Sequence, residues 1–250
     1  MSRGFYSLTS GMLTQQRKID ISSNNLSNLN TAGYKKEQAI TTNFGSLLIN
    51  KYKQNGIHEE AVPINNVSMI RAAVENNTIH SQGTLEETSS MTDFAILGAG
   101  FFAIDSNGQI LYTRNGSFNI DEEGYLVLEG SGRVQGEFGD IYIGTDKFDF
   151  AEDGSIIVED EVVDNIAVYD FQDYNSLNKF KEGMFISSVE PDLVDYPLIA
   201  NKTIERSNVN VTEEITGMLS SQRALQTAAQ ALKIYDMIND KAVNEIGKIG

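Results

Sequence analysis

The chain has 250 residues, of which 40% are hydrophobic, and its formal net charge is −16 at pH 7. The negative charge argues against a nucleic-acid partner, and the absence of cysteine excludes disulfides, cysteine-ligated zinc and thiol catalysis. No apolar run is long enough for membrane insertion, and the first residues lack the apolar stretch of a cleavable signal peptide.

The charge is distributed unevenly along the chain. Residues 1–36 carry five basic side chains and one acidic one, whereas residues 37–206 carry 10 basic and 29 acidic ones. Residues 207–250 are nearly balanced, with four basic and five acidic side chains. This distribution predicts that the two ends of the chain differ in kind from its middle.

Near the N-terminus, apolar residues recur at seven-residue steps: Phe5, Met12, Ile19 and Leu26. A second row lies three residues further on and is only half apolar: Leu8, Gln15, Ser22 and Leu29. This spacing predicts a helix over residues 5–30 with a heptad seam. Because Gly33 then supplies a stop signal, residues 1–36 are predicted to form an N-terminal helical domain.

Asparagines cluster near the end of this predicted helix: Asn24, Asn25, Asn28 and Asn30. Asparagine has a low helix propensity, so the cluster is typical of a helix end that frays into a turn. Its side-chain amide can also bond laterally to a neighbouring helix, which would make these residues contact points. The residue types favour neither interpretation over the other.

The middle of the chain is predicted to be β structure, because short apolar runs alternate there with turn sequences. Asn-Gly at 107–108 and at 115–116 predicts tight hairpins, as do the glycine-containing turns at 121–124 and 130–132. Further strands are predicted at 141–143, 155–158, 162–169 and 184–189. Residues 37–70 are then a connector, and residues 71–200 an acidic, mainly antiparallel β domain.

Two segments form the motif of this domain: Gly98, Gly100, Phe101 and Phe102 in the first, and Tyr112, Arg114, Gly116 and Phe118 in the second. The first resembles a phosphate-binding loop only superficially, since no helix follows it, and a tight turn is the better interpretation. In the second, Arg114 is expected to stay solvated or to pair with local acids.

The seven-residue spacing returns near the C-terminus: Val211, Met218, Leu225 and Leu232. It predicts a second long helix within residues 201–250, with Ile215 on the flank of the seam.

One phrase occurs near both ends of the chain. "GMLTQQR" at 11–17 is echoed by "GMLSSQR" at 217–223, which ends in Gln222 and Arg223. We therefore expect an α+β fold in which the N- and C-terminal helices pair in a coiled-coil-like manner and flank the β domain.

No arrangement of residues indicates catalysis or a cofactor. His58 and His80 lack the i, i+4 partner of a zinc-binding helix, and no serine lies in a nucleophile elbow. Carboxylates are numerous, but their runs fit turns and solvated strand faces better than a catalytic pair. We predict a protein that is not an enzyme and needs no metal or cofactor.

The segment "NNLSNLNTAGYKK" at 24–36 resembles the N-terminal signature of bacterial flagellar rod and hook proteins. Residues 82–104 and 112–127 resemble the start of that family's β domain and its following hairpin. Residues 204–226 resemble the signature that opens the family's last helix. Four separated motifs thus occur in the order of the family, and the chain length suits a rod protein.

The resemblance implies a structural subunit of the flagellar basal-body rod. Subunits of that family pass through the flagellar type III export apparatus without a cleaved signal peptide. Their terminal helices then assemble with copies of themselves and with other rod and hook proteins into a helical tube, with the β domain outside. The residues expected at this assembly interface lie on or next to the two helices: Phe5, Leu8, Met12, Ile19, Asn24, Asn25, Leu26, Asn28, Leu29, Val211, Ile215, Met218, Gln222, Arg223, Leu225 and Leu232.

Two other functions are alternatives from the sequence. The first is a secreted β-domain adhesin or binding module whose helices form a coiled-coil stalk. The second is a secreted hydrolase, which only the acidity of the β domain supports.

Overall fold

The computed structural model describes residues 3–43, 71–144, 148–151, 154–158, 161–181 and 183–246. Two α-helices, α1 (Arg3–Ser27) and α2 (Val211–Ile246), flank a series of short strands, which confirms the predicted α+β fold. The pairings between the described strands are antiparallel. The coiled-coil-like pairing of the two helices stays a prediction.

The strands between the helices are short. In chain order they are β1 (Glu37–Asn43), β2 (Arg71–Thr78), β3 (Leu85–Glu87), β4 (Phe94–Ile96), β5 (Phe101–Ser106), β6 (Gln109–Thr113), β7 (Asn119–Ile120), β8 (Leu126–Leu128), β9 (Gly132–Val134), β10 (Asp149–Phe150), β11 (Ser155–Val158), β12 (Glu161–Asn165), β13 (Val168–Asp170), β14 (Leu177–Lys181), β15 (Met184–Ser187), β16 (Asp192–Leu193), β17 (Ile199–Asn201) and β18 (Thr203–Glu205). A 3-10 turn, Tyr174–Ser176, precedes β14.

The chain divides into two compact units. The helical unit combines residues 1–26, 37–79 and 210–250, and the β unit combines residues 27–36 and 80–209. These divisions differ from the predicted ones at three places: residues 27–36, residues 37–79 and residues 201–209. The last were predicted to belong to the C-terminal helical domain, but they contain β18 and belong to the β unit. Hydrogen bonds explain the other two differences.

The first difference concerns the segment after α1, which was predicted to belong to the N-terminal helical domain. Helix α1 ends at Ser27, three residues before its predicted end, because Asn28 and Thr31 form a turn. The Thr31 N–H donates to the Asn28 carbonyl at 3.3 Å, and the Thr31 hydroxyl donates to Asn28 Oδ1 at 3.2 Å. Asparagine favours such turns over the helix interior. Residues 27–36 then belong to the β unit.

The second difference concerns β1 and β2, which form an antiparallel hairpin in the helical unit. The sequence predicted a connector where β1 lies and part of the β domain where β2 lies. The Asn25 side chain of α1 holds β1 by bonding both backbone groups of Glu37, at 3.0 Å to the N–H and 2.9 Å to the carbonyl. Arg17 of α1 also donates to Asn76 of β2 at 3.4 Å. Most of the predicted connector, residues 44–70, lies outside the described residues.

Helix α2 begins after a side-chain cap. The Oδ1 atom of Asn210 accepts the backbone N–H groups of Thr212 and Glu213, at 3.0 and 3.3 Å. Two acidic residues, Glu213 and Glu214, follow in the first turn, where negative charge interacts favourably with the helix dipole.

The β unit contains two clusters of buried apolar side chains, a large one and a smaller one that includes Phe101 and Phe185. Its main sheet has the strand order β14-β15-β6-β5-β9-β8-β7, and β13 pairs with both β5 and β16. The largest fully buried apolar side chains of the unit include Phe94, Phe101, Phe102, Phe118, Phe185, Ile104, Leu111, Leu126, Ile141 and Ile156.

The Asn-Gly prediction is confirmed at 107–108 and wrong at 115–116. At the first, β5 and β6 pair up to Ser106 and Gln109, and Asn107 and Gly108 have φ values of 56° and 85°, as a type I′ turn requires. At the second, the chain leaves β6 at Thr113 and passes β4 without a hairpin: the Phe94 N–H donates to the Gly116 carbonyl at 2.9 Å. A Cβ on Gly116 would lie 1.8 Å from the Phe94 carbonyl oxygen, so this glycine serves a close backbone crossing.

Candidate functional site

The predicted seam of α1 is only half buried. Phe5, Met12, Ile19 and Leu26 all have intermediate exposure. The most buried side chains of the helix lie on an adjacent line instead, at Thr14, Ile21 and Asn25.

The predicted seam of α2 is half buried at Met218, Leu225 and Leu232, but Val211 and Ile215 are exposed to solvent, by 37% and 45%. Gln222 and Arg223 are exposed as well. Glu214 and Ser221 lie four residues before the half-buried Met218 and Leu225, and both are buried although they are polar. The apolar spacing therefore predicted the half-buried row of this helix but not the buried row that contains Glu214 and Ser221.

The asparagine cluster contains one residue that makes a lateral contact and one that forms the turn at the end of α1. Asn25 is fully buried and bonds laterally to the backbone of Glu37 in β1. Asn28 is also buried and forms the turn that ends α1. Asn24 and Leu29 are half buried. The role of all these residues in an assembly interface stays a prediction.

The β-domain motif residues lie mostly in the core. Phe101, Phe102, Tyr112 and Phe118 are buried, and Gly98 and Gly100 lie in the bend between β4 and β5. The four aromatic side chains pack in the apolar clusters of the β unit and stabilise it.

The prediction for Arg114 is wrong, because its side chain is neither solvated nor paired with a local acid. It is 4% exposed, and its Nη1 donates to Glu205 Oε2 at 3.3 Å, across 91 residues of sequence. Its Nη2 donates to the Gly98 carbonyl at 2.7 Å. Arg114 follows β6 and Glu205 ends β18, so the fold brings together groups that are distant in sequence.

A buried charge cluster lies at this point, formed by Lys35, Arg114 and Glu205. The Lys35 Nζ donates to Glu205 Oε1 at 2.5 Å and to the Ser81 carbonyl at 2.9 Å, and the Gly83 N–H donates to the same carboxylate oxygen at 2.8 Å. Burial lowers the pKa of both the Lys35 ammonium and the Arg114 guanidinium, against the opposing attraction of Glu205. Two cations therefore share one carboxylate in a site that water hardly reaches.

The cluster joins three of the motifs that carry the family resemblance. Lys35 comes from the N-terminal signature, Arg114 from the hairpin motif and Glu205 from the C-terminal signature. The backbone joins two of them as well, because the Gly33 N–H donates to the Glu205 carbonyl at 2.7 Å. Lys35 and Glu205 were not predicted as site residues. No local pattern in the sequence places Glu205 inward, because the apolar Ile204 lies between the polar Thr203 and Glu205, and yet these two polar residues are buried.

His80 borders this cluster and packs among aromatic rings. Its ring centroid lies 5.1 Å from that of Tyr174, 5.2 Å from Phe185 and 5.7 Å from Phe101. Within the described part of the chain its Nδ1 is buried without a hydrogen-bond partner. Burial lowers the pKa of His80 to about 4, and the charges of Lys35 and Arg114 add to that shift.

We expect the free energy of unfolding of the β unit to fall as the pH is lowered from about 6.5 to about 4. In this window the unfolded chain binds a proton at His80 that the folded chain does not bind, so acid favours unfolding. Between pH 7 and pH 5, the wild type should lose about 1 kcal/mol more than His80→Gln, after allowance for partial exposure. Urea denaturation at both pH values measures this, with His58→Gln as the control. Equal losses in the wild type and His80→Gln would contradict the neutral state of His80.

Lys35, Arg114 and Glu205 each lie in a region that matches a model of a known family. Family models match at residues 5–35 ("Flagella basal body rod protein"), 95–162 ("Flagellar hook protein FlgE/F/G D1 domain") and 200–245 ("Flagellar basal body rod FlgEFG protein C-terminal"). The flagellar basal-body rod protein FlgG of Borreliella burgdorferi is 30% identical over 258 residues, covering 94% of this chain and 96% of the relative. The chain belongs to the flagellar basal-body rod protein family.

Two proteins of Bacillus subtilis resemble this rod protein equally well. The basal-body rod protein FlgG is 28% identical, over 98% of this chain and 99% of its own length. The hook-basal body complex protein FlhO is 27% identical, over the full length of both chains. Both relatives belong to the flagellar basal body, so overall identity places the chain in the family without separating these two members.

As a member of this family the chain is a structural subunit of the flagellar basal-body rod and not an enzyme. The relatives therefore do not favour the alternative of an adhesin on a stalk. In the part of the chain that the structure describes, neither helix has the length and apolarity needed to cross a membrane.

Proposed function

We propose that the rod protein assembles through its two terminal helices with copies of itself and with other rod and hook proteins. The helices form the inner tube in this assembly, and the β unit lies outside it. We also propose that the subunit reaches the basal body through the flagellar type III export apparatus, without a cleaved signal peptide.

The apolar surface of α2 carries this proposal. The helix has 36 residues, which at 1.5 Å per residue gives a rod of roughly 54 Å. Large apolar side chains remain exposed from its first turn to its last third: Val211, Ile215, Leu219, Ile234, Met237, Ile238 and Val243. A helix that leaves so much apolar surface in water gains stability when neighbouring helices cover it.

The pattern also suits repeated addition of subunits. A tube that grows at one end needs an interface that joins two different surfaces of identical subunits, since a two-fold interface closes after two copies. The predicted seam residues of α1 and α2 provide two such different surfaces. Phe5, Met12 and Ile19 lie on one, and Met218, Leu225 and Leu232 lie on the other.

Replacing Leu225 with aspartate on the chromosome of the native bacterium should abolish rod assembly and swimming. Leu225 is half buried on the predicted seam, and a charge there would be desolvated in the assembled tube. Electron microscopy of purified basal bodies and a motility assay measure the result. Gln226→Asp is the matched control, because it adds the same charge at the next, exposed position.

The control should assemble far better than the Leu225 variant. Circular dichroism of both purified subunits excludes a folding defect as the cause, because each should keep its native spectrum. Normal rods in the Leu225→Asp strain would contradict the seam. Normal basal bodies and full motility in a strain that lacks the whole gene would contradict the function itself.

A further inference from the structure

The segment that follows α1, residues 28–36, lies in the β unit as a bound peptide would. We name it the clasp. Its Tyr34 and Lys35 are 0% and 2% exposed, although the segment has no strand or helix structure of its own before β1. A short irregular segment stays buried only when its backbone and side-chain polar groups find partners.

The partners of the clasp come from distant parts of the chain. The Gly33 N–H donates to the Glu205 carbonyl at 2.7 Å, and the Lys36 N–H donates to Asn208 Oδ1 at 2.7 Å. The Lys179 ammonium lies 4.8 Å from the centre of the Tyr34 ring. The groove that holds the clasp is thus formed by residues distant from it in sequence, among them Lys179, Glu205 and Asn208.

The charges of the groove match the clasp. Lys35 is its buried cation, and it meets the carboxylate of Glu205 and the carbonyl of Ser81. Gly33 brings its backbone against Arg114, where an added Cβ would lie 2.2 Å from the carbonyl carbon. The groove therefore fits a peptide with a glycine, an aromatic residue and a lysine in succession. The glycine permits the close backbone approach to Arg114, the aromatic ring contacts Lys179, and the lysine pairs with Glu205.

We propose that residues 28–36 are an intramolecular peptide ligand of the β unit and serve the fold of the single subunit. The bond from the Lys36 N–H to Asn208 Oδ1 ties the clasp to the segment before α2. This proposal does not rest on rod assembly, because every contact that supports it lies within one chain.

The clasp can open while the β unit remains folded. When Lys35 leaves, Glu205 keeps its ion pair with Arg114 and its hydrogen bond from Gly83. No buried charge is then left without a partner, which is the event that makes the loss of one member of an ion pair costly. Opening of the clasp is accordingly a local event, with a lower free energy than unfolding of the core strands.

Hydrogen exchange of the purified full chain, followed by mass spectrometry, tests the proposal. In Lys35→Met the amides of residues 28–36 should exchange about tenfold faster or more, while those of β5 and β6 keep their protection. Lys36→Met is the matched control, since Lys36 lies outside the charge cluster, and it should exchange nearly as the wild type does. Unchanged protection of residues 28–36 in Lys35→Met would overturn the proposal, whether or not the variant assembles into rods. Loss of protection in β5 and β6 together with the clasp would also overturn it.

A second measurement uses the wild-type chain and does not depend on the folding of a variant. A synthetic peptide of residues 26–37 should compete with the clasp once its concentration exceeds the effective concentration of the tethered segment, on the order of millimolar. The exchange of residues 28–36 in the full chain should then accelerate. The same peptide with methionine at the position of Lys35 should have no such effect. Equal effects of the two peptides would show that the groove does not recognise the lysine, and this result would overturn the proposal.

Discussion

Replacing Glu205 with alanine is expected to lower the free energy of unfolding of the β unit by about 3–5 kcal/mol. The change removes the carboxylate that both Lys35 and Arg114 contact, at positions where these side chains are 2% and 4% exposed. It also removes the acceptor of the Gly83 N–H. Because the chain has no tryptophan and 10 tyrosines, tyrosine fluorescence during urea denaturation measures the loss.

Glu86→Ala is the matched control for this prediction. Glu86 also pairs with an arginine, Arg206, but the Glu86 side chain is 50% exposed. Water and salt screen exposed pairs, so the control should change the stability little. If Glu205→Ala were as stable as Glu86→Ala, the buried cluster would not hold the β unit together.

Local signals in the sequence predicted the local parts of the fold. The turn at 107–108 and the strand at 155–158 form where they were predicted, because Asn-Gly and a short apolar run determine the conformation of their own residues. The long helices were also predicted, since their periodicity extends over many turns. Only the end of α1 was misplaced, by the turn at Asn28.

Distant parts of the sequence determine the site, and no local pattern contains that information. Asn115-Gly116 has the sequence of a hairpin, yet β4 crosses there and needs the absence of a side chain. Arg114 has the sequence of a solvated turn residue, yet the pairing of β18 with β3 brings Glu205 to it. A prediction from sequence would have to know these strand pairings before it could assign either residue.

The helical seams were predicted only in part, and the reason differs from that at the site. The spacing identified Met218, Leu225 and Leu232, but not the buried Glu214 and Ser221. Which face of a long helix is covered depends on its neighbours as well as on its own apolar residues. In a subunit that we propose to assemble, some of those neighbours belong to other chains.

Gly33→Ala is expected to release the clasp from the β unit and to lower the free energy of unfolding by about 2–4 kcal/mol. Gly33 has a φ of 67°, and an added Cβ would lie 2.2 Å from backbone atoms of Arg114 and Asn115. Rotation of a side chain cannot relieve a clash with backbone, so the segment must move away and lose the bond from the Gly33 N–H to Glu205. Urea denaturation measures the loss of stability, and hydrogen exchange locates it.

Gly130→Ala is the matched control, because Gly130 has a φ of 70° but no atom within 4 Å of its added Cβ. Both substitutions place alanine in the left-handed conformation at a cost of about 1 kcal/mol, so their difference isolates the close approach at Gly33. A Gly33 variant no less stable than the Gly130 variant would contradict the seating of the clasp against Arg114.

The Gly33 and Glu205 variants should also differ from each other. Release of the clasp relieves the clash at Gly33. The loss of stability in Gly33→Ala therefore cannot exceed the free energy with which the clasp binds. The pair of Arg114 and Glu205 then survives, and protection should be lost only in residues 28–36. In Glu205→Ala no movement of the clasp restores a carboxylate to Arg114, which keeps only the Gly98 carbonyl as a neutral acceptor, so β5 and β6 should lose protection too. The two exchange patterns therefore separate the binding of the clasp from the stability of the unit that binds it.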